Sequence, residues 1–291
     1  VLKVNNSRLP YQHLDIRGHR LDYSKKTIIM GILNATPDSF SDGGRYDRIQ
    51  EAVDHAMEMI RDGADIIDIG GESTRPGHEF VPMETELERV IPVIKAIRER
   101  SDVPISIDTY KAGTAKLALE AGADIINDIW GAKADPDMPR VAAEFGTPII
   151  LMHNRNNMDY TDMIYDMMKD LEESIQLVIE AGLPKDKIII DPGIGFAKTS
   201  EDNLVVMKNL EAFKELGYPV LLGTSRKSFI GKILGTNTDG RMEGTGATVC
   251  LGITKGCQIV RVHDVKPVAQ MARVMDAILR EGDSVGQNLF K

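Results

Sequence analysis

Short apolar runs rich in Ile, Val and Leu recur along the whole chain, and between them apolar residues fall three or four apart. The runs predict strands at 27–33 (TIIMGIL), 65–70 (DIIDIG), 104–109 (PISIDT), 124–129 (DIINDI), 148–153 (PIILMH), 187–192 (KIIIDP), 220–225 (VLLGTS) and 258–263 (QIVRVH). Most are nearly continuous rather than alternating, as expected for parallel strands covered on both faces. The segments between them read as amphipathic helices. In RIQEAVDHAMEMIRDG, Ile49, Val53, Ala56, Met57 and Ile60 form one stripe, and Gly63 is placed to end the helix. Another helix is expected over PMETELERVIPVIKAIRER, kinked or restarted at Pro92, and another over DNLVVMKNLEAFKELG. The methionine-rich stretch 158–168 is expected to form a packed helix face.

Eight β/α units in 291 residues fit one α/β domain, a TIM (β/α)8 barrel. An open doubly wound sheet is the competitor, but no G-x-G-x-x-G turn follows the first strand. The expected organisation is an N-terminal extension over 1–26 covering the barrel bottom, the barrel over 27–281, and a C-terminal tail over 282–291.

Composition narrows the function classes. No apolar stretch approaches the roughly 18 residues of a membrane span, and residues 1–26 hold no continuous apolar signal core, so a cytoplasmic protein is expected. Lys and Arg number 35 against 44 Asp and Glu, a net charge of −9, and no basic strip offsets it. Nucleic acid is therefore not an expected partner, and an anionic ligand would need a local cluster of cations. Cys250 and Cys257 are seven apart, which suggests buried thiols on one helix face rather than a disulfide or zinc pair.

In a parallel barrel all strands point their C-terminal ends at one mouth. The residues there are Asn34, Asp68, Glu72 with Thr74, Asp108, Asn127, His153, Asp191, Lys227, and Arg261 with His263. Most have a plain structural reading when taken singly. Asp68 suits a core acid satisfied by backbone and is set aside. Asp108 suits a helix N-cap as well as it suits a site, Asn127, Asp128 and Asp191 suit turns, and His153 suits a satisfied core position. Their coincidence at one mouth is what argues for a ligand, because such a ring is costly to desolvate unpaired. Three loops add to it. ILNATPDSFSDGG (32–44) turns polar at Asn34 and carries Asp42; GGESTRPGHEFVP (70–82) carries Arg75 on a glycine-rich lid; GTSRKSFIG (223–231) sets Lys227 and Ser228 at a helix start, with Ser228 at or near the N-cap.

The motifs GILNATPDSFSDGG, DIGGESTRPG, SIDTYKA, INDIWG, MHN, DPGIGFAK, TSRKSFIG and RVHDV, in this order and one per strand end, resemble the dihydropteroate synthase family over residues 27–265. Ala35 stands where many members carry Val. The resemblance implies a pterin-binding barrel that joins 6-hydroxymethyl-7,8-dihydropterin pyrophosphate to p-aminobenzoate, and that is cytoplasmic, homodimeric, Mg2+-assisted and a sulfonamide target. It implies Asp108, Asn127, Asp191 and Lys227 for the pterin, and Asn34, Arg261 and His263 for pyrophosphate, with Asn34 also meeting the metal. For p-aminobenzoate it implies Thr74, Arg75, Pro76, Phe196, Lys227 and Ser228, and for catalysis Asp42, Asp108, Lys227, Arg261 and His263. Three other readings remain: a pterin-binding methyltransferase barrel, a Schiff-base aldolase built on Lys227, and an inactive barrel used as a scaffold.

Overall fold

The computed structural model describes residues 9–36, 45–73 and 80–280. The chain opens with an antiparallel hairpin, β1 (His13–Ile16) and β2 (His19–Asp22). Eight parallel strands follow: β3 (Ile28–Asn34), β4 (Ile66–Gly70), β5 (Ile105–Asp108), β6 (Ile125–Asp128), β7 (Ile149–Met152), β8 (Ile188–Asp191), β9 (Leu221–Leu222) and β10 (Ile259–Val262). Their spatial order is β8-β7-β6-β5-β4-β3-β10-β9, and a bridge from Ile190 to Val220 joins the two ends of that row. The ring is the (β/α)8 barrel expected from the apolar runs.

Helices α1 (Arg45–Arg61), α2 (Met83–Arg98), α3 (Ala112–Ala121), α4 (Met138–Phe145), α5 (Met163–Glu180), α6 (Ser200–Lys208), α7 (Ser228–Leu234), α8 (Met242–Thr254) and α9 (Val265–Leu279) cover the outside. Their apolar stripes meet the outward side chains of the strands in one continuous core, with Val90, Ile94 and Ile97 of α2 against Ile67, Ile69 and Ile105. A second core lies at the bottom of the barrel. Leu14, Ile16, Leu21 and Tyr23 of the hairpin pack on Ile28, Met30, Ile66, Ile125, Ile150, Ile189, Leu221 and Ile259, all within the first three residues of their strands. The bottom is thereby closed to water, and the open mouth is left at the other end.

Three local expectations are corrected. Helix α2 starts at Met83 and does not restart at Pro92, which lies inside it, because burial of Val90, Val93, Ile94 and Ile97 outweighs one lost backbone bond. Residues 202–217 do not form one helix. Asn209 turns its side-chain N–H onto the Val205 carbonyl at 2.8 Å, α6 ends at Lys208, and a 3-10 segment, Leu210–Leu216, buries Leu210 and Phe213. Cys257 lies beyond the end of α8 and is not on a shared helix face with Cys250, although it is buried.

Candidate active site

Parallel register decides which polar residues meet. Asn34 pairs with Gly70, Gly70 with Asp108, and Asp108 with Asn127, so four neighbouring strands end in one row at the mouth. Asp68 lies two residues below Gly70 on the same face. Arg261 of β10 reaches across the barrel to both acids. Its Nε donates to Asp68 Oδ2 and its Nη2 to Asp108 Oδ2, each at 2.6 Å, which leaves Nη1 without a hydrogen bond among the described residues. Asn127 Nδ2 donates to the same Asp68 oxygen at 3.2 Å. The second oxygens of both acids, Asp68 Oδ1 and Asp108 Oδ1, are buried with no partner among the described residues. Burial pushes Asp108 up, Arg261 opposes it, and the Asp68 carboxylate adds to the rise. The flanking carboxylates hold Arg261 above its already high ordinary value despite burial.

The alternatives for single residues are resolved here. Asp68 is not a core acid satisfied by backbone: Arg261 and Asn127 hold one of its oxygens, which places it beside Asp108 in the same cluster. Asp108 caps no helix, since Lys111 occupies the N-cap position of α3. Asp128 is the turn former, accepting the Trp130 and Ala132 N–H groups, whereas Asn127 faces the barrel. Glu72 accepts from the Lys111 and Tyr110 side chains and from the Val81 N–H.

Asp191, at the end of β8, gives Oδ1 to the Gly193 N–H at 2.7 Å. Burial raises it above the ordinary carboxylate range, with Lys227 opposing. Lys227 donates to the Ile194 carbonyl, and its Nζ lies 4.9 Å from the centre of the Phe196 ring. Burial brings it down to about 8 against the pull of Asp191. A Cβ added at Gly223 would stand 3.9 Å from Asp191 Oδ2 and 4.0 Å from Lys227 Nζ, so carboxylate and ammonium both border the space beside that glycine.

Asn34 is half-buried, and its side chain makes no hydrogen bond among the described residues. At the end of β10, the His263 backbone N–H donates to Ser225 Oγ at 3.1 Å, and that hydroxyl lies 2.9 Å from His263 Nδ1. Arg226 is engaged by Asp264 at 2.6 and 2.9 Å. The cap of α7 is Lys227, and Ser228 is an exposed first helical residue of a seven-residue helix. Its hydroxyl and backbone N–H, rather than a long helix dipole, are what it offers. Asp42, Thr74, Arg75 and Pro76 lie outside the described residues.

Sequence reasoning missed Lys198, which is buried near the Phe196 end of the β8 loop. A lysine beside a Thr-Ser helix start reads as solvated, and nothing in its neighbours in the chain announces that His153 meets it.

The sequence from 30 to 263 matches the family described as pterin binding enzyme. It is 63% identical to a dihydropteroate synthase of Bacillus subtilis, over 90% of this chain and 92% of that protein. The crystal structure of a Clostridium difficile dihydropteroate synthase in the presence of pteroic acid superposes with a TM-score of 0.87 at 50% identity, covering 89% of this chain and 99% of the other. That of Xanthomonas albilineans with 4-aminobenzoic acid gives 0.87 at 39% identity, with 92% and 98% covered. The chain belongs to the pterin-binding enzymes and, among them, to the dihydropteroate synthase family.

Proposed function

We propose that the chain condenses 6-hydroxymethyl-7,8-dihydropterin pyrophosphate with p-aminobenzoate, giving 7,8-dihydropteroate and pyrophosphate. The observation that carries this reading is that Asp191 Oδ2 and Lys227 Nζ both border the space beside Gly223, next to the row of Asp108 and Asn127. A pterin presents an N–H next to an amino group and, adjoining them, a carbonyl. A carboxylate and an ammonium side by side complement that edge, and an analogue without it would leave both unpaired. The two structural relatives are described in the presence of pteroic acid and with 4-aminobenzoic acid, an analogue of the product and one of the substrates.

Asp191 accepts from the pterin edge through Oδ2, Oδ1 being taken, and Lys227 donates to the pterin carbonyl. Asp108 Oδ1 and Asn127 complete the polar bed. Arg261 Nη1, the Asn34 amide and His263 supply donors for the pyrophosphate at the mouth. Departure of pyrophosphate leaves positive charge on the pterin methylene. The Asp68 and Asp108 carboxyls paired with Arg261, each with a second oxygen lacking a partner among the described residues, favour that charge. The arylamine is neutral at physiological pH and attacks without a general base. Phe196 and Lys227 wall its ring, and Ser228 meets its carboxylate; Thr74, Arg75, Pro76 and Asp42 are assigned by resemblance alone.

Mg2+ fits this donor set. Among the described residues no three His, Cys, Asp or Glu side chains gather to hold a metal alone, while Asn34 offers a free amide oxygen, and Mg2+ binds through few protein oxygens plus substrate phosphates. Bound there, it would neutralise charge on the leaving pyrophosphate. Homodimerisation is supported by Val274 and Ile278, one turn apart and exposed on α9. Among the described residues no helix is long and apolar enough to cross a membrane. A cytoplasmic location is supported by the free thiols Cys250 and Cys257, which a reducing compartment preserves.

Purified protein given both substrates and Mg2+ should release pyrophosphate in step with dihydropteroate; pterin pyrophosphate bound but never coupled would overturn the reading. Lys227→Ala and Asp191→Ala should each lower kcat/KM by roughly a hundredfold or more with an unchanged circular dichroism spectrum. A sulfonamide should compete with p-aminobenzoate, and indifference to it would remove Ser228 from the subsite.

A further inference from the structure

Lys198 has no part in the chemistry above, yet it is buried, and its Nζ is surrounded. It lies 3.0 Å from His153 Nδ1, 3.0 Å from the Gly193 carbonyl oxygen and 2.9 Å from the Phe196 carbonyl oxygen. Three acceptors match the three N–H donors of an ammonium. With Nδ1 accepting, His153 carries its proton on Nε2 and donates it to Asp170 Oδ2 at 3.0 Å. Asp170, on α5, is also held by Arg155 Nε at 2.5 Å. The opposite arrangement, a neutral amine accepting from Nδ1–H, would set a bare Nε2 against a carboxylate oxygen. Burial pulls Lys198 down to about 7 and His153 to about 4, so the histidine yields the charge to the lysine.

The loop that Lys198 grips is an unusual one. Gly193, Gly195 and Ala197 all take left-handed backbone angles, with φ of 69°, 85° and 47°. A Cβ at Gly193 would stand 2.0 Å from the His153 carbonyl oxygen. Glycine takes such angles without strain, so the conformational cost of the turn rests on Ala197, which its surroundings must hold. Here Asp191 Oδ1 takes the Gly193 N–H, Asn203 Oδ1 takes the Gly195 N–H at 2.7 Å, and Tyr160 OH donates to the Ala197 carbonyl at 2.9 Å. The Phe196 N–H closes the turn on the Gly193 carbonyl at 3.1 Å, and among these side chains Lys198 is the one that meets the carbonyls at both its ends, Gly193 and Phe196. The same turn presents the Ile194 carbonyl and the Phe196 ring to Lys227.

We propose that Lys198, braced through His153 by Asp170, is a positioning residue that fixes the Gly193–Phe196 turn and with it the placement of the Phe196 ring against the arylamine. This rests on the reaction assigned above. The turn carries the wall of the p-aminobenzoate subsite, whereas Asp108, Asn127, Asp191 and Arg261 stand on strands. Loss of the ammonium should therefore separate the two substrates.

The test is steady-state kinetics of Lys198→Met, which keeps the side-chain length and removes the donors. The KM for p-aminobenzoate should rise tenfold or more, and that for the pterin pyrophosphate should stay within threefold. Lys198→Gln, which restores two N–H groups, should recover part of the loss. Both KM values within twofold of wild type, or a fall in kcat alone as from a smaller active fraction, would overturn the proposal. If Lys198→Met fails to fold, 15N spectra of the wild-type imidazoles decide: His153 as the Nε2–H tautomer supports the brace, and a protonated Nδ1 overturns it. A wild-type enzyme that forms no dihydropteroate would instead overturn the reaction assignment.

Discussion

Removing the Arg261 guanidinium would leave Asp68 and Asp108 facing one another in a buried pocket, each already short of one partner. Breaking a buried pair on one side costs about 3–5 kcal/mol, because the remaining charge stays desolvated. Arg261→Met is therefore expected to lose about 3 kcal/mol of stability. The loss should depend on pH with a definite sign. Asp108 is already raised by burial, and the variant raises it further, so the folded state holds a proton that the unfolded state has released. Stability then falls as pH rises, and urea midpoints should show a larger deficit at pH 8 than at pH 6. An equal deficit at both would mean that the carboxylates find other partners.

The β7–α5 pair and the turn after β8 act together as an element. Burial brings His153 down to about 4 from 6.5, so between these values the unfolded chain binds the extra proton and stability drops as pH falls. Although burial opposes them, hydrogen bonds from His153 and Arg155 hold Asp170 well below the carboxylate range, which adds a loss of the same sign at lower pH. The histidine part amounts to about 3 kcal/mol once the pH is below 4. Chemical denaturation followed between pH 7 and 4 should show it, and His153→Gln should flatten that part of the curve. Strand and helix positions of this element were readable from apolar spacing, and MHN and DPGIGFAK were readable as motifs. The brace was not, because His153 and Lys198 are 45 residues apart and Asp170 lies on a helix between them.

On the whole-molecule scale, a net charge of −9 surrounds a mouth that gathers Lys227, Arg261 and His263. The hairpin seals the other end, so binding chemistry is confined to the mouth. Outside, Val274 and Ile278 of α9 leave an apolar stripe without cover in the single chain. If that stripe is the dimer face, sedimentation should find the wild type dimeric at micromolar concentration, and Val274→Glu with Ile278→Glu should give a folded monomer of similar melting temperature. A dimer that persists in the double variant would move the interface elsewhere.

By itself, the order of apolar runs and helical stripes determined a parallel barrel. The polar residue at each strand end determined where the mouth stands and most of what lines it. Both are local consequences: the strand period sets which side chains turn inward, and parallel direction sends every C-terminal end the same way. Only the tertiary structure decided which charge meets which. Arg261 finds Asp68 and Asp108 from 193 and 153 residues away, which places Asp68 beside Asp108 in the same cluster. Closure of the ring brings β10 beside β3, and burial then makes each unpaired charge costly enough that these long-range partners must be found.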